Sequence, residues 1–195
     1  MAVIEYGARY FSPRDVLECG QIFRFVPFGE GYKVFSTDKA CYVYTRGDAT
    51  FVECDDGDYF YNFFDLGRDY AAITERAKSF GVPLLTRGAS LGQGLRLLNQ
   101  NAEEMIYSFI ISQNNNIPRI KGIIERICAA LGEERTFMGE KYHAFPTSAA
   151  LAGAGAEFFK LIGAGYRDGY LAATSARIAA EGIDELYGLS DDDLK

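Results

Sequence analysis

The chain changes character near residue 67, and this change constrains its fold more than any other feature. Before that point, short runs rich in Tyr, Phe and Val, such as "YKVFS", "ACYVYT" and "ATFVEC", alternate with turn-forming residues. This pattern is typical of an antiparallel meander. After it, apolar residues recur at helical spacing. We therefore predict an α+β protein, with an antiparallel sheet domain and a flanking helix over residues 1–80 and a helical domain over residues 81–195.

The clearest helix is predicted for the segment "PRIKGIIERICAALG". Five of its apolar residues fall on one stripe at helical spacing: Ile120, Ile123, Ile124, Ile127 and Leu131. In the preceding helical segment, "NAEEMIYSFIISQ", we predict that Ile106, Phe109 and Ile110 form the buried face.

Composition excludes several classes of protein. With 48% hydrophobic and 24% charged residues the chain can bury a globular core, and no stretch resembles a membrane span or a secretory signal. Its four cysteines match no CxxC spacing, and it has one histidine, His143. We therefore expect reduced, mostly buried thiols, no metal and no cofactor. We also expect a monomer in the cytoplasm, associated with the nucleoid in a bacterium or archaeon.

The charge of the chain is unevenly distributed. A net charge of -7 argues against a polyanionic partner, because lysine and arginine make the contacts to phosphates. Residues 67–130, however, hold 8 basic and 5 acidic side chains, whereas the segments on either side are acidic. Because an acidic protein with a local positive face can bind nucleic acid, the total charge weakens that hypothesis without removing it.

The stretch "SQNNNIPRI" lies in this basic third and places three asparagines, Asn114 to Asn116, between two helical segments. Pro118 and Arg119 follow directly. Asparagine tolerates left-handed backbone and caps helix ends, and proline is favoured in the first turn of a helix. The stretch is therefore predicted to be a tight helix-to-helix turn. Two interpretations stay open: the amides only satisfy helix ends, or they form a binding site with Arg119.

Two further stretches are weak signals when taken alone. "LECGQIFRF" contains a turn at Gly20 before an aromatic strand, and "GAGYRDGYL" contains Tyr166 and Arg167 at the start of a helix. Together with "SFIISQNNNIPRI", and supported by "YFYNFFDL", "GLRLLNQNAEEMIYSFI", "YHAFPT" and "LAGAG", they resemble the 8-oxoguanine DNA glycosylases of the helix-hairpin-helix superfamily over nearly the whole chain. The resemblance implies a sheet domain similar to half of a TATA-binding protein, followed by part of a helical glycosylase domain.

The resemblance also implies roles for individual residues. A glycosylase must extrude the damaged nucleotide from the duplex. By resemblance, Asn114 fills the vacated space and Tyr166 wedges into the stack from the opposite strand. Arg119 and Arg167 match a pair that donates to N3 and O2 of the opposite cytosine. Gly20 matches the residue whose carbonyl accepts from the N7–H that distinguishes 8-oxoguanine from guanine.

The activity implied is base-excision repair by a bifunctional glycosylase and AP lyase, with double-stranded DNA containing 8-oxoguanine as the partner. Excision is followed by cleavage of the abasic strand through β-elimination. The family's hairpin turn with its nucleophilic lysine and aspartate has no match here, since none of the five prolines is followed by glycine. We therefore expect the catalytic residues beyond Lys195, a helical domain that is incomplete at its C-terminal end, and no activity from residues 1–195 alone.

Two alternative functions stay open. The first is a noncatalytic DNA-binding or scaffold module that keeps the wedge and the opposite-base contacts. The second is an α+β domain with a small-molecule or protein partner, which the acidity and the aromatic content of 14% suggest.

Overall fold

The structure is a computed structural model that describes residues 1–188. The chain forms two compact units. The first contains Met1–Gln100 and Phe137–Glu140, and the second contains Asn101–Thr136 and the segment from Lys141 onward. The predicted fold class is confirmed, because the first unit holds a five-stranded antiparallel sheet and the second is mainly helical.

The sheet of the first unit is a meander with one added strand. Its strands are β1 (Ala2–Gly7), β2 (Phe25–Phe28), β3 (Gly31–Ser36), β4 (Lys39–Arg46) and β5 (Ala49–Cys54). Strands β2 to β5 pair in chain order, as predicted, and β1 pairs antiparallel with β5. Alternate residues of β5 are buried, which is the pattern of a sheet with one face on the core.

Two short helices, α1 (Pro13–Glu18) and α2 (Gly57–Phe63), share the core of this sheet. Each begins at a side-chain cap: Ser12 for α1 and Asp56 for α2. The motif "YFYNFFDL" supplies four of the buried core residues, Phe60, Phe63, Phe64 and Leu66. Its aromatic side chains therefore serve the core of the first unit.

Helices α3 (Tyr70–Ser79) and α4 (Pro83–Leu91) also belong to the first unit. The main segment of this unit runs to Gln100, whereas the predicted sheet domain ends at residue 80. Hydrogen bonding explains the difference, because Gln100 Nε2 donates to the carbonyl of Gln21 at 2.6 Å. A helical pattern in the sequence does not by itself place a segment in the helical unit.

The second unit contains the helices α5 (Ala102–Ser112), α6 (Ile117–Leu131), α7 (Ser148–Leu161) and α8 (Asp168–Glu181). The apolar stripe predicted for α6 is confirmed for its four isoleucines, whereas Leu131 is only half-buried. Helix α7 is kinked at Gly155, which has φ 70.

The buried face of α5 differs from the predicted one. Phe109 is 65% exposed, and Ile106 and Ile110 are only half-buried. The buried residues are instead Glu104, Tyr107 and Ile111. Both sets have helical spacing, and most of this helix is apolar, so periodicity alone does not choose between the two faces.

Strand β1, helix α4 and a hairpin of β6 (Glu134–Phe137) and β7 (Glu140–His143) were not predicted. Helix α4 has no buried residue, and its Leu84 and Leu91 are 79% and 76% exposed. The hairpin turn uses Met138 and Gly139 at φ 49 and 78. Methionine is not one of the residues that signal such a turn, because Asn, Asp and Gly adopt positive φ far more readily.

Candidate nucleic-acid interface

Gly20 lies just after α1 in a conformation that favours glycine. Its φ is +93, and a Cβ at this position would meet no atom within 4 Å. The restriction therefore comes from the backbone alone. Gly20 is exposed, as is the preceding Cys19. The main chain at this turn is accessible to a ligand.

The side chain of Gln21 holds the Gly20 turn in place. Its Nε2 donates to the carbonyls of Val16 at 3.0 Å and Arg96 at 2.8 Å. Its Oε1 accepts from the amide of Leu98 at 3.0 Å. Sequence reasoning missed Gln21, and the available signal was a glutamine directly after the turn glycine.

Arg96 anchors the segment to which Gln21 is bonded. It is fully buried. It donates to four backbone carbonyls, those of Tyr10, Phe64, Asp65 and Arg68. Its guanidinium carbon lies 4.8 Å from the ring centre of Tyr6 and 4.1 Å from that of Tyr70. Burial raises the pKa of the Tyr70 hydroxyl, which keeps this ring neutral beside the cation.

The three asparagines form the predicted turn between α5 and α6. Asn114 has φ 48, the left-handed conformation that asparagine tolerates. Asn115 Nδ2 donates to the carbonyl of Ile111 at 3.0 Å, and Asn116 Oδ1 accepts from the amide of Arg119 at 3.0 Å. These two amides therefore satisfy helix ends, and the exposed side chain of Asn114 makes neither of these capping bonds.

Arg167, which lies directly before α8, holds the backbone of this turn. It ends the 3-10 turn Gly165–Arg167 before α8 and is only 2% exposed. Its Nε donates to the carbonyl of Gln113 at 3.0 Å, and Nη2 donates to the same carbonyl. Nη2 also reaches the carbonyl of Asn114 at 3.1 Å, and Nη1 that of Ala164 at 3.1 Å.

Tyr166 and Arg119 complete the group at its exposed side. The Tyr166 hydroxyl donates to the carbonyl of Gln113 at 3.1 Å, and the residue is 59% exposed. The Arg167 guanidinium carbon lies 4.3 Å from the centre of the Tyr166 ring. Arg119 is exposed, and its Nη2 donates to the carbonyl of Gly163 at 3.2 Å.

The second unit therefore gathers four of the predicted site residues, Asn114, Arg119, Tyr166 and Arg167, which we call the wedge cluster. It offers a surface aromatic ring, an amide with donor and acceptor, and guanidinium donors. These groups suit a stacked base and a base edge that presents acceptors. Gly20 belongs to the first unit.

Five of the described lysines lie in ion pairs: Lys33, Lys39, Lys78, Lys141 and Lys160. The buried Lys33 donates to Glu140 Oε2 at 2.6 Å, and Lys160 Nζ lies 3.7 Å from Glu157 Oε2. The hydrogen bond that Lys39 donates to Asp56 raises the pKa of Lys39. A lysine nucleophile needs the opposite shift, because only the free amine attacks.

Neither a metal cluster nor a membrane helix is found within residues 1–188. No three His, Cys, Asp or Glu side chains of this part of the chain converge on one point as metal ligands would. None of its helices is both long and apolar enough to cross a bilayer.

Known proteins share both the sequence and the fold of this chain, although no family model matches it. The N-glycosylase/DNA lyase of Saccharomyces cerevisiae is 39% identical over 88 residues, which cover 44% of this chain and 23% of that protein. The crystal structure of the Clostridium acetobutylicum 8-oxoguanine glycosylase/lyase in its apo-form is 31% identical, with a TM-score of 0.88. The match covers 97% of this chain and 69% of the Clostridium chain.

A second structure of the Clostridium enzyme contains double-stranded DNA with cytosine opposite 8-oxoguanine. It is 30% identical to this chain, with a TM-score of 0.85, and the match covers 98% of this chain and 70% of that one. The match to the curated yeast relative spans less than a quarter of that protein's length. The solved structures, in contrast, match nearly all of this chain and more than two thirds of their own. The chain therefore belongs to the family of 8-oxoguanine glycosylase/lyases.

Proposed function

We propose that the protein acts in base-excision repair as a DNA glycosylase and AP lyase. It flips 8-oxoguanine out of double-stranded DNA opposite cytosine, excises it and cleaves the abasic strand by β-elimination. The solved relative bound to DNA with cytosine opposite 8-oxoguanine supports this assignment. The protein acts as a monomer. Its compartment is the one that contains the DNA, which is the cytoplasm with its nucleoid in a bacterium or archaeon.

The wedge cluster is the observation that carries the proposal. Extruding a base leaves a hole in the duplex and costs roughly a few kcal/mol in lost stacking and pairing. Asn114 fills that hole, because its left-handed backbone and exposed short amide suit a side chain that enters a stack. Tyr166 inserts its exposed ring between bases of the opposite strand.

The two arginines of the wedge cluster read the orphaned base. Cytosine presents acceptors at N3 and O2, whereas thymine presents an N3–H donor that a guanidinium repels. Arg119 is exposed and gives up its bond to the Gly163 carbonyl in order to reach a base. Arg167 must exchange several carbonyl bonds, since its guanidinium is buried against Gln113, Asn114 and Ala164. Arg119 is therefore the first donor to engage and Arg167 the second.

Lesion recognition rests on the Gly20 turn of the first unit. The N7–H of 8-oxoguanine donates to a backbone carbonyl, whereas N7 of guanine is an acceptor and is repelled by it. Glycine allows the main chain to approach the base closely, and the accessible backbone at Gly20 fits this role.

We assign the role of the nucleophile to none of the described ion-paired lysines, because their contacts are structural. The same observation favours the second candidate, a noncatalytic module that retains the wedge cluster. Borohydride trapping on a duplex containing 8-oxoguanine separates the possibilities. We expect no covalent adduct with residues 1–195, and an adduct yield like that of a complete family member would place the nucleophile within this chain.

The strength of DNA binding provides a further test. With a net charge of -7, residues 1–195 should bind duplex DNA weakly and with a steep salt dependence. Fluorescence anisotropy at two salt concentrations measures both properties. Tight binding at physiological salt would contradict the expectation.

Opposite-base discrimination tests the arginine roles in a form of the protein that includes the nucleophile. Arg119→Ala and Arg167→Ala should lower single-turnover excision opposite cytosine more than opposite adenine or thymine. The expected loss of selectivity is roughly 1–3 kcal/mol, the scale of one good base contact. The control is Arg177→Ala, since Arg177 is an exposed arginine of α8 paired with Glu181. A uniform loss with every opposite base indicates phosphate contacts and removes the base-reading role.

A further inference from the structure

The turn that follows α7 leads directly into Tyr166 and Arg167, so its conformation sets the positions of these two residues. Gly163 has φ +85, and its amide donates to the carbonyl of Lys160 at 3.1 Å. The amide of Ala164 donates to the carbonyl of Phe159 at 3.0 Å. This pair of bonds is the Schellman ending of a helix. It uses the amides of the turn and leaves the turn's own carbonyls to other donors.

Three successive carbonyls of this turn each accept from a different arginine. The pairs are Arg126 Nε with Ile162 at 2.8 Å, Arg119 Nη2 with Gly163 at 3.2 Å, and Arg167 Nη1 with Ala164 at 3.1 Å. Hydrogen bonds from charged donors are among the stronger ones in proteins. Three such donors on adjacent carbonyls fix the path of the turn.

Arg126 differs from the other two arginines in its position along α6. It lies seven residues after Arg119, which places both on the same face of the helix two turns apart. Gly122 lies between them on that face, and a Cβ there would come within 3.3 Å of Arg126 Nη1. The glycine therefore leaves room for the guanidinium to reach Ile162.

We propose that Arg126 is a positioning residue for reading the opposite base. This inference rests on the proposed function. When Arg119 leaves the Gly163 carbonyl to donate to cytosine, the turn loses one of its three clamps. Arg126 is bonded to the adjacent carbonyl and keeps the turn in place, so that Tyr166 and Arg167 stay positioned while Arg119 engages the base.

Amide hydrogen exchange of Gly163 and Ala164 tests the structural half of the inference without DNA. In Arg126→Ala we expect exchange at both amides to be roughly tenfold faster, the effect of one charge-assisted hydrogen bond on local opening. Arg126→Lys keeps a donor, so its exchange rates at both amides should lie between those of Arg126→Ala and the wild type. Arg177→Ala removes another exposed arginine of the same unit and should leave both amides unchanged.

Duplex binding tests the functional half. The ratio of affinities for 8-oxoguanine opposite cytosine and opposite adenine should fall roughly threefold to tenfold in Arg126→Ala, with partial recovery in Arg126→Lys. Unchanged amide exchange overturns the inference whatever the DNA result. An equal loss of affinity for every duplex also overturns it, because that result indicates a phosphate contact. If the wild type itself does not discriminate, the proposed function fails, and amide exchange alone then decides whether Arg126 positions the turn.

Discussion

Each unit of the protein contains a buried arginine that donates to backbone carbonyls, and the two differ in their surroundings. Arg96 in the first unit is 0% exposed and lies between two tyrosine rings, Tyr6 and Tyr70. Arg167 in the second unit is 2% exposed, yet its ring partner Tyr166 is 59% exposed. The same chemistry therefore serves an interior in one unit and a surface in the other.

The difference between these arginines indicates which one can change partners. Releasing Arg96 would leave the carbonyl of the buried Phe64 without this donor, at a cost of about 1–3 kcal/mol for an unsatisfied buried group, and would break its bonds to three further carbonyls. Arg167 bonds to the buried Ala164 and also to Gln113 and Asn114, which are both exposed. Water can replace the Arg167 guanidinium at the carbonyls of Gln113 and Asn114. Arg167 can therefore exchange these bonds for bonds to a base at a low cost in free energy. Arg96 is a structural support, whereas Arg167 can act as a base reader.

The largest expected effect comes from Arg96→Met. This change keeps much of the side-chain volume but removes all four of its hydrogen bonds to backbone carbonyls. We expect a loss of about 3–5 kcal/mol in the free energy of unfolding, measured by urea denaturation followed by circular dichroism. Arg177→Met, at an exposed position, should change stability by less than about 0.5 kcal/mol. Similar losses for both variants would end the contrast between an interior and a surface arginine.

A smaller effect is expected from Arg167→Met, because two of its three carbonyl partners, those of Gln113 and Asn114, belong to exposed residues. The loss in unfolding free energy should be about 1.5–3 kcal/mol, the range for hydrogen bonds to a charged group. Discrimination for cytosine in duplex binding should fall as well. A stability loss as large as that of Arg96→Met would show that Arg167 is not free to exchange its partners.

Gln21→Leu tests whether the support from Arg96 reaches the Gly20 turn. The change removes the donor to the Arg96 carbonyl and the acceptor for the Leu98 amide, so we expect a loss of about 1–2 kcal/mol. The affinity ratio between duplexes with 8-oxoguanine and guanine should narrow, while discrimination of the opposite base stays intact. Gln21→Glu keeps the acceptor for the Leu98 amide, so its loss of stability should be smaller than that of Gln21→Leu. Loss of opposite-base discrimination in Gln21→Leu would contradict separate roles for the two regions.

The smallest effects concern the glycines of the two turns. Gly20→Ala and Gly163→Ala each place a Cβ at positive φ, +93 and +85, and neither Cβ approaches another atom closer than 3.5 Å. Each should therefore cost about 1–2 kcal/mol through backbone strain alone. Lesion preference should fall only in Gly20→Ala, and opposite-base preference only in Gly163→Ala. Binding titrations with matched duplexes measure both preferences, and identical profiles for the two variants would refute the division of roles.

Local chemistry in the sequence predicted the turns and strands of the protein well. The short run "ATFVEC", bounded by turn residues, predicted a strand of an antiparallel meander, which the structure confirms as β5. The run Asn114 to Asn116 predicted a left-handed turn and a helix cap, because both are preferences of the residue itself. The order of the motifs was also sufficient to indicate the family.

Tertiary structure alone decided which face of α5 is buried and which polar side chains support the site. Phe109 and Tyr107 fit a helical stripe equally well, and only packing selected Tyr107 for the interior. The bonds of Arg96 and Arg167 connect residues 86 and 54 positions apart in the chain. Such contacts depend on how distant segments meet, and no local preference encodes them. The sequence by itself therefore identified which residues form the wedge cluster. The fold determined which hydrogen bonds hold each of them in place.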